Sequence, residues 1–163
     1  MDSSDITGYG MVGDSGATPP RVLIIEEEFI VSMALRLELE GLRCSVLGTA
    51  REATQGVALA RELRPDIVFM GIKLREGNGL EATRRIVRET PARVVVVTGY
   101  DDERLQQAEA MGASLVLVKP VFESQLAVAL KRVLGWGSVA GVPARTPFRL
   151  RYRPPMPCQE VVE

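Results

Sequence analysis

Five short aliphatic runs constrain this chain more than any other feature: Val22 to Ile25, Cys44 to Leu47, Ile67 to Met70, Val94 to Val97 and Leu115 to Val118. None alternates apolar with polar residues, and most positions are β-branched or aliphatic, the texture of parallel strands buried on both faces. Between the runs, apolar residues recur at helical spacing. Phe29, Met33 and Leu37 follow i, i+4, i+8 and predict an amphipathic first helix stopped near Gly41. Thr49 and Glu52 have the spacing of a capping box, with Ala53, Val57 and Ala60 on one face of a second helix that Pro65 ends. A third helix starts near Gly79, carries Leu80 and Ile86 and breaks at Pro91. Asp101 or Asp102 can cap a fourth with Leu105 and Ala108 inward, and Phe122, Leu126, Leu130 and Val133 mark a fifth. Strands and helices alternating in this way require right-handed crossovers, so the expected fold is α/β: a five-stranded parallel sheet, doubly wound as (βα)5.

The patterned region, residues 20–136, is long enough to bury one core without help from a second domain. Residues 1–19 hold Gly8, Gly10, Gly13 and Gly16 among Ser and Asp with no apolar period, and read as a flexible leader. Residues 137–163 include Pro143, Pro147, Pro154, Pro155 and Pro157 and are expected to be an extended or disordered tail. The apolar runs are far below the roughly 18 residues that span a bilayer. The first ten residues have neither the basic nor the apolar region of a secretory signal, so the expected compartment is the cytoplasm and no membrane partner is expected.

The chain contains no histidine. That removes Ser-His-Asp and Cys-His triads and histidine-ligated metals, leaving carboxylates, hydroxyls and amines for any chemistry. Cys44 and Cys158 are far apart with no CxxC spacing, so no disulfide framework or zinc knuckle is expected and Cys44 reads as a core thiol. A net charge of −1 argues against an obligate nucleic-acid binder. The tail does carry Arg145, Arg149, Arg151 and Arg153 with Phe148 and Tyr152 interleaved, which keeps nucleic-acid binding through the tail as an alternative of a different class.

In an open parallel α/β sheet, chemistry gathers at the carboxyl ends of the strands. Those ends carry Glu26, Glu27 and Glu28 after the first run, Gly71 after the third, Thr98 after the fourth, and Lys119 with Pro120 after the fifth. Two carboxylates, a hydroxyl and an ammonium therefore converge. Lys119 beside Glu26 and Glu27 has two readings, a structural ion pair or a ligand-binding arrangement.

Through LIIEEE at Leu23 to Glu28, DIVFMGIKL at Asp66 to Leu74, VVVVTGY at Val94 to Tyr100 and GASLVLVKP at Gly112 to Pro120, the chain resembles the receiver domains of two-component response regulators, which share the flavodoxin-like fold. The resemblance implies an acidic pair for Mg²⁺ at Glu26 and Glu27, phosphate-contact positions at Thr98 and Lys119, and a switch position at Val116. At the position of the phospho-accepting aspartate stands Gly71, which has no side chain, and whether it is the natural residue or a substituted one is open from sequence. Loss of that carboxylate removes the nucleophile and one hard ligand, so Mg²⁺ is expected to bind weakly at best and no cofactor is required. Glu27 is one methylene longer than the family's usual residue, and Val116 has no ring for the family's hydroxyl-aromatic coupling. Glu28 and Glu76 are not placed by the motif to replace the acceptor.

The expected function is that of a stand-alone, non-enzymatic receiver-like protein in phosphorelay signalling that acts by protein-protein interaction without phosphorylation at position 71. The alternative is a phospho-accepting regulator whose acceptor is unorthodox or has been substituted. Expected partners are a histidine kinase or other signalling proteins, with a homodimer through the face of the fourth helix, fifth strand and fifth helix also in view. Flavin binding lacks its phosphate loop after the first strand.

Overall fold

The computed structural model describes residues 18–99, 103–136 and Arg151–Tyr152. Strands and helices alternate as β1 (Arg21–Ile25), α1 (Phe29–Gly41), β2 (Ser45–Ala50), α2 (Ala53–Leu63), β3 (Ile67–Gly71), α3 (Gly79–Glu89), β4 (Arg93–Thr98), α4 (Glu103–Ala110), β5 (Leu115–Val118) and α5 (Glu123–Leu134). A two-residue strand, β6 (Arg151–Tyr152), follows.

The sheet order is β2-β1-β3-β4-β5-β6, with β1 to β5 parallel and β6 antiparallel on β5. The five parallel strands are those expected; the sixth is an addition that comes from the tail. Its pairing is short, Leu115 with Tyr152 and Val116 with Arg151. The remainder of the tail and most of the leader, residues 1–17, lie outside the described residues, as do Asp101 and Asp102, the expected caps of α4, and Cys158.

The non-alternating runs are explained by two apolar layers, one on each side of the sheet. Leu23, Ile25, Val68, Met70, Val94 and Val96 face one layer, closed by Val57, Ala60, Leu80, Ile86 and Leu105 from α2, α3 and α4. Val22, Ile24, Ile67, Phe69, Val95 and Val97 face the other, closed by Leu35 and Leu39 of α1 and Leu126 and Leu130 of α5. Successive residues of one strand thus point to opposite layers, and each full burial of a Val, Leu or Ile contributes roughly 1.5–3 kcal/mol. β2 is the exception. It runs on through Gly48 and Thr49 to Ala50 and is only partly buried, because it borders a single neighbour, β1.

Two local expectations are corrected. Thr49 pairs with Ile24 inside β2, so it is unavailable as a helix cap; Glu52 stands at the start of α2 without a side-chain cap bond. In α1, the stripe of Phe29, Met33 and Leu37 faces solvent, together with Ile30, which is 81% exposed. The helix instead buries Ser32, Leu35 and Leu39 and rests Val31 against the core. Leu35 and Leu39 lie one turn apart, so the helix carries two four-spaced apolar stripes, and the one closed by α5 is the one that is buried.

Candidate functional site

The strand order reverses at β1, with β2 on one side and β3 on the other. Helices on the two faces splay apart at such a switch point and leave a crevice beyond the carboxyl ends. A cleft of ≈ 470 Å³ lies there, lined by Glu26, Glu27 and Glu28 after β1, Gly71, Ile72 and Lys73 at the end of β3, Val97, Thr98 and Gly99 at the end of β4, and Lys119 after β5.

Backbone bonds fix the loops that carry these groups. The Glu26 amide donates to Ala50 at the end of β2, 2.9 Å. Arg51 Nε donates to the Glu27 carbonyl, also at 2.9 Å. The Lys119 amide donates to the Thr98 carbonyl at 2.7 Å, which sets the lysine one step beyond the β4-β5 ladder. After β3 the chain turns sharply. Gly79 donates its amide to the Ile72 carbonyl at 2.8 Å, and Asn78 Oδ1 accepts from the Leu80 amide at 2.7 Å, capping α3.

Glu26 is the buried acid of the site, 3% exposed. Its Oε2 lies 3.3 Å from Lys119 Nζ, and its Oε1 accepts the Glu28 amide at 3.1 Å. Oε2 itself is buried without a hydrogen bond, so the lysine acts on it as a neighbouring charge. Lys119 also stands 3.6 Å from Glu28 Oε1, whose side chain is largely exposed. The lysine therefore pairs with Glu26 and Glu28, and Glu27 takes no part in an ion pair among the described residues. Buried and exposed partners differ in weight: attraction across a low-dielectric interior far exceeds that of a solvated pair.

Gly71 ends β3 opposite Val97 of β4. A β-carbon at position 71 would lie 2.9 Å from Glu26 Oε2, so the Glu26 carboxylate lies against the volume where a side chain at 71 would begin. Thr98 is buried at the cleft wall. Val116 is 1% exposed, packed in the layer that holds Val94, Val96 and Leu105, and paired with Val96 on one edge and Arg151 on the other. It is a core residue with no freedom to swing outward.

The donor set does not assemble a magnesium site of the expected kind. Position 71 offers no carboxylate, the buried oxygen of Glu26 faces Lys119, and no three acidic, cysteine or histidine side chains are grouped to hold a metal among the described residues. Mg²⁺ is usually held through one or two carboxylates while keeping several waters, and of the three glutamates lining the cleft Glu26 and Glu28 are paired with Lys119.

Of the strand-end residues named from sequence, Glu26, Glu27, Glu28, Gly71, Thr98 and Lys119 border this cleft, and Pro120 does not line it. Val116 lies in the core instead. Sequence reasoning missed Glu28 as a partner of Lys119 and Lys73 as a lining residue. Lys73 had a signal, three residues past the end of the third run; Glu28 had only its adjacency to Glu26 and Glu27.

Residues 22–131 match the response regulator receiver domain family. A protein-glutamate methylesterase/protein-glutamine glutaminase of Myxococcus xanthus is 40% identical over 110 residues, covering 63% of this chain and 30% of that protein. The transcriptional regulatory protein PdtaR of Mycobacterium tuberculosis is 34% identical over 116 residues, covering 71% of this chain and 57% of that one. The chain thus spans about a third and somewhat over half of these relatives' lengths. Among solved structures, the signal receiver domain of a modulated diguanylate cyclase from Desulfovibrio desulfuricans superposes with a TM-score of 0.69 at 28% identity, covering 72% of this chain and 95% of that one. With five parallel strands in receiver order and the cleft at their carboxyl ends, the chain belongs to the response regulator receiver domain family.

Proposed function

We propose that this receiver works in two-component signalling through protein-protein interaction, without accepting a phosphoryl group at position 71. The observation that carries the reading is Gly71 at the end of β3, where the resemblance places the nucleophile, in a cleft that otherwise keeps Glu26, Glu27, Thr98 and Lys119. Attack on a phosphodonor needs an oxygen in line with the leaving group and charge stabilisation beside it. Glycine supplies no oxygen, and Glu26 and Glu28 spend their charge on Lys119.

The relatives' names differ, a methylesterase and a transcriptional regulator, and the match covers 30% and 57% of them, so neither activity is carried over to this chain. A non-enzymatic, cytoplasmic role follows the same reading; no helix among the described residues is long and apolar enough to cross a membrane. As partner we propose the helical portion of a histidine kinase, docking on α1. Phe29, Ile30, Met33 and Leu37 form an exposed apolar stripe along about its first two and a half turns, and the same helix carries the exposed Arg36–Glu40 ion pair. That helix begins one residue after Glu28, and Phe122, also exposed, lies three residues past Lys119, so apolar side chains flank the cleft on both sides in sequence. Contiguous exposed apolar surface of this kind marks interaction sites. Self-association through α4, β5 and α5 would have to accommodate β6, which pairs with Leu115 and Val116 on the outer edge of β5.

The test is intact-mass measurement after incubation with Mg²⁺ and a small-molecule phosphodonor such as phosphoramidate. The expected result is an unmodified chain. A single phosphoryl adduct on the unaltered protein would overturn the proposal and point to an unorthodox acceptor.

A further inference from the structure

We propose that Glu26 is the internal counter-charge of this receiver's pocket: it substitutes, from β1, for an acidic side chain on β3 as the partner of Lys119. This deepens the reading of Gly71 as a position without an acceptor and rests on it.

The topology makes the contact unusual. β1 and β5 are not neighbours; β3 and β4 lie between them. A carboxylate at the end of β1 meets an ammonium after β5 only by extending across the end of β3. Gly71 leaves that path open, since a β-carbon there would stand 2.9 Å from Glu26 Oε2 and 3.3 Å from its carboxyl carbon. Contacts that short oblige the carboxylate to move away from whatever side chain occupies position 71.

The energetics point the same way. A carboxylate 3% exposed is costly unless a charge or hydrogen bonds compensate for lost water. Oε1 has the Glu28 amide, whereas Oε2 has no hydrogen bond and depends on Lys119 at 3.3 Å. Lys119, with 26% of its side chain exposed, also has Glu28, but that side chain is 66% exposed and its attraction is screened. One buried negative charge is therefore matched to one lysine. A carboxylate at position 71 beside Glu26 would bring two like charges into the same volume, the condition under which a divalent cation becomes necessary. As it stands, the buried charge of Glu26 is neutralised from within the chain by Lys119, and it needs no divalent cation.

The inference predicts that one carboxylate is needed and that either position can supply it. Thermal unfolding of the full chain is measured for the unaltered protein, Glu26→Gln, Gly71→Asp and Glu26→Gln/Gly71→Asp, each with and without millimolar Mg²⁺. Glu26→Gln is expected to lower the melting temperature by roughly 5–10 °C, having removed one member of a buried pair. Gly71→Asp is expected to lower it without Mg²⁺ and to regain it with Mg²⁺. The double variant, with its single carboxylate relocated, is expected to melt within about 2 °C of the unaltered protein, so that the two losses cancel rather than add. Additive losses in the double variant would overturn the proposal, as would an unaltered protein whose melting temperature rises with Mg²⁺; that last arm needs no variant to fold. A phosphoryl adduct on the unaltered protein in the mass experiment would instead sink the underlying reading, which keeps the two failures separate.

Discussion

Gly79, the first residue of α3, sits so close to the end of β3 that a β-carbon on it would stand 1.9 Å from the carbonyl oxygen of Gly71. The atom in the way is backbone, and the Gly79 amide is committed to the Ile72 carbonyl, so neither element can yield alone. Gly79→Ala should therefore destabilise the fold by about 2–3 kcal/mol, at the upper end of overpacking costs. At Gly71 the nearest atom is the far end of a side chain, Glu26 Oε2 at 2.9 Å, which can shift by a few tenths of an ångström. Gly71→Ala should cost less than about 1 kcal/mol. Urea unfolding of both variants checks the order; equal costs would mean that the β3-α3 turn is less rigid than described.

The two stripes of α1 give opposite expectations for substitution. Ile30→Lys and Leu37→Lys place charge on exposed positions and should change stability by no more than about 0.5 kcal/mol. Leu35→Ala and Leu39→Ala remove side chains from the layer shared with α5 and should cost about 2–5 kcal/mol each. Chemical denaturation measures both, and a reversal would mean that α1 is rotated by half a turn.

That helix also marks where sequence stopped being legible. The strands were readable because a parallel sheet covered on both faces needs contiguous aliphatic residues, and five such runs leave little freedom in architecture. The site followed from the same logic: Glu26, Thr98 and Lys119 terminate strands, and strand ends meet at one edge of the sheet. In α1, Phe29, Met33 and Leu37 repeat every four residues, and so do Val31, Leu35 and Leu39. Periodicity cannot choose between two equivalent stripes. The choice is made by the approach from Glu28 and by α5, both of them tertiary. Glu28 escaped for a related reason, because the reach of a side chain to Lys119 depends on how the loop after β1 is folded.

Glu38 of α1 faces the like charge of Glu123 at the start of α5. Burial first, and Glu123 second, push its carboxyl above the ordinary value of 4.5. One of its oxygens, Oε2, is buried without a hydrogen bond. A raised carboxyl pKa means that the folded state holds the proton more tightly than the unfolded one. The stability associated with the neutral form is fully present below 4.5 and is lost as pH rises through the folded value. Glu38→Gln should accordingly raise the melting temperature at pH near 7, and the difference should vanish in mildly acidic solution. Melting curves across that range decide it, with Glu123→Gln expected to act in the same direction and more weakly. A Glu38→Gln protein no more stable at neutral pH would sink the assignment.

Cys44, just before β2, is buried against the layer formed by α1 and α5, and burial pushes its thiol from 9.0 up to about 11. Only the thiolate reacts with disulfide reagents, and a two-unit rise cuts its population near pH 8 by about a hundredfold, before the steric exclusion of a core position is counted. In a Cys158→Ser background, which leaves Cys44 as the only thiol of the chain, labelling by a chromogenic disulfide should be slow in buffer and complete within minutes in strong denaturant. The same shift sets an alkaline limit. The unfolded chain ionises near 9.0 and the folded one near 11, so the contribution of the neutral thiol is intact below the first value and is lost as pH rises through the second. Cys44→Ala should flatten that alkaline loss while lowering stability at neutral pH, because it trades the titrating group for a small cavity. Rapid labelling of Cys44 in buffer would show that the α1-β2 corner opens locally, at a cost well below that of global unfolding.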